Sequence, residues 1–129
     1  MKKLVYGKEE VLSEGLHSGY RFIIVNGKFY PSVFVRVPEA HPAHGVSVDD
    51  LCDIRCHGGI TFSGELLDQR GWWVGWEYNH PGDYRAGSHK GSVKRWTTEE
   101  LYASCSFVIK QLIEIKKLRG FKDHGNNRL

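Results

Sequence analysis

"YRFIIVNGKFYPSVFVRVP", Tyr20 to Pro38, is the stretch that decides the fold class. Two runs of β-branched and aromatic residues flank Asn26-Gly27. Such residues suit pleated, half-buried backbone. Asn-Gly supplies the positive φ angles of a type I′ turn, so the stretch reads as a β-hairpin. Pro31 has no N–H to give to a ladder, which places the second arm at a sheet edge or at a bulge.

Two further runs alternate downstream. In 52–57, Cys52, Ile54 and Cys56 share one face, while Asp53, Arg55 and His57 share the other. That pattern predicts a half-buried strand whose two cysteines lie about 13 Å apart, too far for a disulfide. In "GWWVGWEY" (71–78), Trp72, Val74, Trp76 and Tyr78 point one way and Trp73, Gly75 and Glu77 the other. Gly75 leaves room for another backbone or a ligand to approach. These two strands are expected to lie adjacent and antiparallel, joined by the loop 58–70. That loop is long for a hairpin, and long loops in small domains are often functional.

"WTTEELYASCSFVIKQLIEIKKLRG" (96–120) is the one long helix. Thr97 with Glu100 three residues later makes a capping box. Leu101, Cys105, Val108, Leu112 and Ile115 form a buried stripe. Lys116, Lys117 and Arg119 suit the last turn, and Gly120 suits the position just past it. Residues 1–19 give no firm pattern beyond a short helix or loose strand over 8–13. Residues 39–50 read as a loop with a helical turn near Ser47, and 79–92 as a loop rich in turn residues. Residues 120–129 read as a frayed tail. The sum is a single α+β domain over 1–129: an antiparallel sheet of about four strands packed by one long C-terminal helix.

The totals agree with one soluble domain. The chain has 129 residues, 40% hydrophobic and 26% charged, enough for one core. No apolar run approaches the roughly 18 residues of a membrane span. "MKKLVYGKEEV" has lysines but no apolar segment behind them, which argues against a secretory signal. Three cysteines, Cys52, Cys56 and Cys105, suggest a reducing interior rather than a disulfide framework. The formal charge is +3, and residues 110–129 alone carry +4. The basic excess thus sits on the final helix and tail, where it suits the helix dipole. Without a basic face interleaved with aromatics, nucleic acid is an unlikely partner.

Two short clusters carry the chemistry. His57, Gly58 and Gly59 put an imidazole ahead of glycines whose N–H groups can hold an anion. Thr61 and Ser63 add hydroxyls. The plain alternative is a glycine-dependent turn. His80, Gly82 and Asp83 place an imidazole and a carboxylate three apart. Asp83 could orient a histidine for acid–base work, or simply cap an Asx-type turn. His57, His80 and Asp83 could also make a two-histidine, one-carboxylate metal site. No ligand pair has a recognised metal spacing, however, so no metal and no cofactor is expected. His41-x-x-His44 reads as an ordinary loop pair.

Trp73, out of phase with its neighbours, could stack on a base. Burial is the default for the other aromatics, at about 2–3 kcal/mol each. Arg70, Arg85 and Arg55 are candidate phosphate partners. Cys56 and His57 are adjacent on the expected strand and point apart, so a cysteine nucleophile is disfavoured. Residues 57–89 hold Glu65, Asp68, Glu77 and Asp83 against Arg70 and Arg85. Bulk attraction will therefore not recruit a polyanion.

The series "CHGGITFSG", "WWVGWEYNHPGDY" and "WTTEELYASCSFVIKQL" resembles a family of small phage-encoded proteins. Those proteins carry "VHGGLTYSG" and "WWIGFDCAHAGD" blocks before a similar helix. The resemblance covers roughly residues 33–115. Glu77 stands where that family usually has aspartate. The resemblance implies an origin in the cytoplasm of an infected bacterial host, and it brings no catalytic assignment.

Three readings stand at this point, and catalysis stays open. The first is a phage accessory protein that binds a small ligand through His57, Gly58, Gly59, Thr61, Ser63, Arg70, Trp73, His80, Asp83 and Arg85. It would sequester a nucleotide immune signal and assemble as a homo-oligomer. The second is a hydrolase or phosphodiesterase using His57, His80 and Asp83. The third is a protein–protein inhibitor anchored by exposed tryptophans.

Overall fold

The structure is a computed structural model that describes residues 10–67, 69–86 and 93–126, with helix side chains described to residue 118. The segment 1–9, the part of the 79–92 loop over 87–92, and the last three residues of the expected tail lie outside the described residues. Five strands precede one helix: β1 (Glu10–His17), β2 (Tyr20–Asn26), β3 (Pro31–Val37), β4 (Phe62–Leu66), β5 (Gln69–Glu77) and α1 (Thr98–Asn126). All pairings are antiparallel, in the order β1-β2-β3-β5-β4. This is the expected α+β architecture with one more strand. Among the described residues no helix is long and apolar enough to cross a membrane.

The tight turn is not at Asn26-Gly27. It joins β1 to β2 at Ser18 (φ 50°) and Gly19 (φ 83°), between the paired residues His17 and Tyr20. Two successive positive φ angles are what type I′ requires. Asn26 instead pairs with Pro31, and the loop between them is closed by Gly27 N–H donating to the Tyr30 carbonyl at 3.0 Å. Pro31 is not on an edge either, because β3 lies between β2 and β5. It is tolerated as the first residue of its strand, where its carbonyl accepts the Tyr78 N–H at 3.0 Å.

Residues 52–57 are not a strand. Leu51 N–H donates to Val48 O and Ile54 N–H to Leu51 O, each at 3.0 Å. These successive three-residue turns begin in a short 3-10 turn, Val48–Asp50. The apolar spacing that matters is therefore three, not two. Leu51 and Ile54 are buried, while Cys52 is exposed. The Gln111 amide of α1 takes the place of a strand partner, accepting from Arg55 N–H at 2.8 Å and donating to Arg55 O at 2.6 Å. The strand that pairs with β5 is β4, inside the stretch that reads as a loop.

The capping box forms as the sequence predicts: Glu100 N–H donates to Thr97 Oγ1 at 3.1 Å, and Thr97 N–H to Glu100 Oε1 at 3.0 Å. Leu101, Cys105, Val108 and Leu112 are buried. The helix runs on through Gly120 to Asn126, so Gly120 does not end it. α1 and the 41–60 segment cover one sheet face, over Phe22, Ile24, Val33, Val35, Val74 and Trp76. His41, 3% exposed, pins that segment down. Its Nδ1 accepts the Ala43 N–H at 2.9 Å, which leaves Nε2 to donate to the Leu112 carbonyl at 2.7 Å.

The opposite sheet face holds a second cluster of Ile23, Val25, Phe34, Leu66 and Trp73. Gly75 belongs to this face, and the group that approaches it is the Phe34 ring. A Cβ at Gly75 would meet Phe34 Cδ1 at 2.5 Å and the Val33 carbonyl oxygen at 3.1 Å. Gly75→Ala is therefore expected to lower stability by about 1–3 kcal/mol through overpacking. Urea unfolding against the parent chain measures this, and an unchanged midpoint would show that the ring yields freely.

Candidate functional site

Antiparallel pairing decides which loops meet. Phe62 pairs with Gly75, so residues running into β4 lie beside residues leaving β5. Thr61 N–H donates to Gly75 O at 2.9 Å, and Thr61 Oγ1 to Glu77 Oε1 at 3.3 Å. One step further out, the His57 and His80 rings face each other at 5.3 Å, nearly perpendicular at 73°. The HGG and HPGD segments are thus brought together.

Asp83 is the centre of the cluster, with its side chain 4% exposed. Oδ2 accepts from His57 Nε2 at 2.6 Å and from the His80 backbone N–H at 3.0 Å. Oδ1 accepts from Trp96 Nε1 at 2.9 Å. The expected Asx-type turn, with the side chain holding an N–H ahead of it, does not form: the carboxylate reaches back to the His80 N–H, across a turn closed by Asp83 N–H donating to the His80 carbonyl at 2.9 Å, and holds His57 with the same oxygen. Burial opposes its charge, but the hydrogen bonds from Trp96, His57 and His80 outweigh that and hold Asp83 below its ordinary value of 3.8.

His57 is half-buried among rings. It stacks on Tyr78 at 4.8 Å with a 5° interplanar angle, and Trp96 lies 5.1 Å away. His80 Nε2 is buried with no hydrogen-bond partner, because it sits over Gly58. That glycine has φ +72°, and a Cβ there would fall on the His80 imidazole. At Cys56 burial outweighs a hydrogen bond from the Gly59 backbone and pushes the thiol up to about 12, which opposes a nucleophilic role. Among the described residues no group of three metal-ligating side chains is arranged to hold an ion.

The remaining expected site residues disperse. Trp73 is fully buried in the second core, its Nε1 donating to the Arg70 carbonyl at 2.9 Å. It can neither stack on a ligand nor anchor an interface. Ser63 pairs with Val74 within the sheet. Arg70 lines a different cleft, beside Arg36. Arg85 extends the other way, donating to Asn79 Oδ1 at 3.4 Å and lying 5.2 Å from the Phe29 ring centre.

Arg85 leads to what the sequence reading passed over. A cleft of about 410 Å³ lies between the β2–β3 loop and the segment entering α1. Phe29, Tyr30, Tyr84 and Trp96 supply its rings and Lys28 and Arg95 its charges, and among the described residues no carboxylate lines it. Neither imidazole lines it, but Trp96 belongs to both cleft and cluster. The Arg95 guanidinium lies 4.7 Å from the Tyr84 ring centre, and Lys28 Nζ 5.3 Å from that of Phe29. Among the described residues, Lys28, Arg85 and Arg95 pair with no carboxylate. The signal in the sequence is three adjacent cation–aromatic pairs: Lys28-Phe29, Tyr84-Arg85 and Arg95-Trp96.

The lowered Asp83 value fixes a sign. The stabilisation it represents is present above 3.8 and is lost as the pH falls from there through the lower folded value. Asp83→Asn is expected to flatten the acid limb of stability against pH in that window, read by chemical unfolding at successive pH values. Gly58→Ala is expected to displace His80 and lower stability by about 1–3 kcal/mol, with new ring shifts in the histidine NMR signals. Comparison with protein-family models, with curated proteins and with solved structures finds no match.

Proposed function

We propose that the protein binds a small anionic ligand with a flat ring, a nucleotide, in the cleft walled by Phe29, Tyr84 and Trp96. The observation that carries this is the lining itself: aromatic faces beside cations that, among the described residues, pair with no carboxylate, around about 410 Å³. That volume is in the range of small-ligand sites. Ring faces suit stacking of a base, and guanidinium forks suit phosphate oxygens. The resemblance to phage proteins supplies the setting. Inside an infected bacterial cell, such a protein would sequester a nucleotide immune signal without consuming it. Sharing of sites between identical subunits belongs to the same proposal.

A second reading is favoured by one distance, the 2.6 Å between His57 Nε2 and Asp83 Oδ2. A carboxylate orienting an imidazole is the arrangement of a general base. On this reading the protein hydrolyses the nucleotide it binds.

One experiment separates the two. The purified protein is incubated with linear and cyclic nucleotides, with binding followed by the change in tryptophan fluorescence that Trp96→Phe removes and products by mass spectrometry. Sequestration predicts a ligand recovered intact, with Arg95→Gln and Lys28→Gln each weakening affinity about tenfold, the scale of one charge-assisted hydrogen bond. Turnover that Asp83→Asn abolishes establishes the hydrolase instead. Neither binding nor turnover across the panel ends both readings.

A further inference from the structure

The other end of β3 carries a second cleft, of about 310 Å³, lined by Arg36, Arg70, His44, Glu39 and Gly71. Its construction depends on one glycine. Gly71 has φ +99°, and the aliphatic part of Arg36 lies where a side chain would begin. A Cβ there would meet Arg36 Cδ at 2.7 Å. Arg36 can therefore cross β5 only because position 71 has no side chain. Arg70 is fixed from below, its carbonyl holding the indole N–H of the fully buried Trp73 at 2.9 Å. Both arginines thus rise from anchored backbone. Among the described residues neither guanidinium pairs with a carboxylate.

We propose that this cleft binds a compact oxyanion, the phosphate group of a small molecule, independently of the aromatic cleft. Guanidinium forks match the oxygens of a phosphate, whose greater charge and extra oxygens suit a lining with two arginines better than a carboxylate does. His44 adds an imidazole donor. Its ring lies 6.0 Å from that of Trp72, whose buried Nε1 has no hydrogen-bond partner among the described residues. Among the described residues Glu39 is the only acidic side chain in the lining, against two arginines. That favours a single phosphate over a polyanion.

The test is an NMR titration of the isotopically labelled protein with inorganic phosphate, against potassium chloride at matched ionic strength. Acetate serves as the carboxylate comparison. The expected result is saturable movement of the Arg70, Gly71 and His44 amide signals with phosphate and a weaker effect of acetate. Arg70→Gln, at an exposed position, is expected to weaken phosphate at least tenfold. Arg95→Gln, in the aromatic cleft, is expected to leave these shifts unchanged. Movement that does not saturate, that chloride reproduces, or that survives both Arg70→Gln and Arg36→Gln overturns the proposal. Those outcomes leave the nucleotide reading of the other cleft untouched.

Discussion

A buried carboxylate must be satisfied, and Asp83 is satisfied by donors from three separate places in the chain. His57 comes from the segment before β4, the His80 amide from the turn after β5, and Trp96 from the approach to α1. An uncompensated charge at that depth would cost several kcal/mol, so the three segments are held at one point. Everything the loops do chemically follows from that. The His57 ring is oriented, the Trp96 ring is fixed as a wall of the aromatic cleft, and the HPGD turn is closed.

The sheet supplies the frame for this knot. Its β5 strand is buried on both sides, with Trp76 toward the helix and Trp73 toward the second cluster. Period-two alternation still holds there, but both faces are apolar cores rather than one core and one wet surface. A reading that assigns the out-of-phase tryptophan to solvent therefore goes wrong at Trp73, even though the phase itself is correct. Gly75 follows the same logic, since the space it leaves is taken by Phe34. The rings of Phe34 and Phe62, on the two flanking strands, meet edge to face at 5.8 Å.

Much of the fold was legible because its signals are local. The capping box, the stripe of α1, the alternation of β5 and the hairpin around residues 26–31 are each written in a few consecutive residues. The misreadings arise where two patterns overlap. "LCDIRCH" satisfies period two, yet turns at spacing three bury Leu51 and Ile54. Asn26-Gly27 carries the stronger turn signal by residue type, yet the tighter turn lies at Ser18-Gly19. In the site, a carboxylate at Asp83 able to orient a histidine was legible from residue types, but that His57 is the histidine it holds follows only from the folded chain. The pairing's dependence on Trp96 was not legible either, because nothing local ties position 96 to position 83. The aromatic cleft was scattered over three cation–aromatic pairs that only the folded chain assembles.

The strand order has a consequence for how this chain tolerates change. β1 with β2, β2 with β3, and β4 with β5 are neighbours in sequence as well as in space. Only the β3–β5 ladder closes a long excursion, residues 38–68, of which 38–61 precede β4, and closure entropy grows slowly with the length of such a loop. His41, His44, His57 and Gly58 all lie on that excursion. Its exposed stretches can therefore change in length while the sheet is kept, provided that His41, Leu51, Ile54 and Ile60 hold their places in the core, so new ligand preferences can arise between those fixed points.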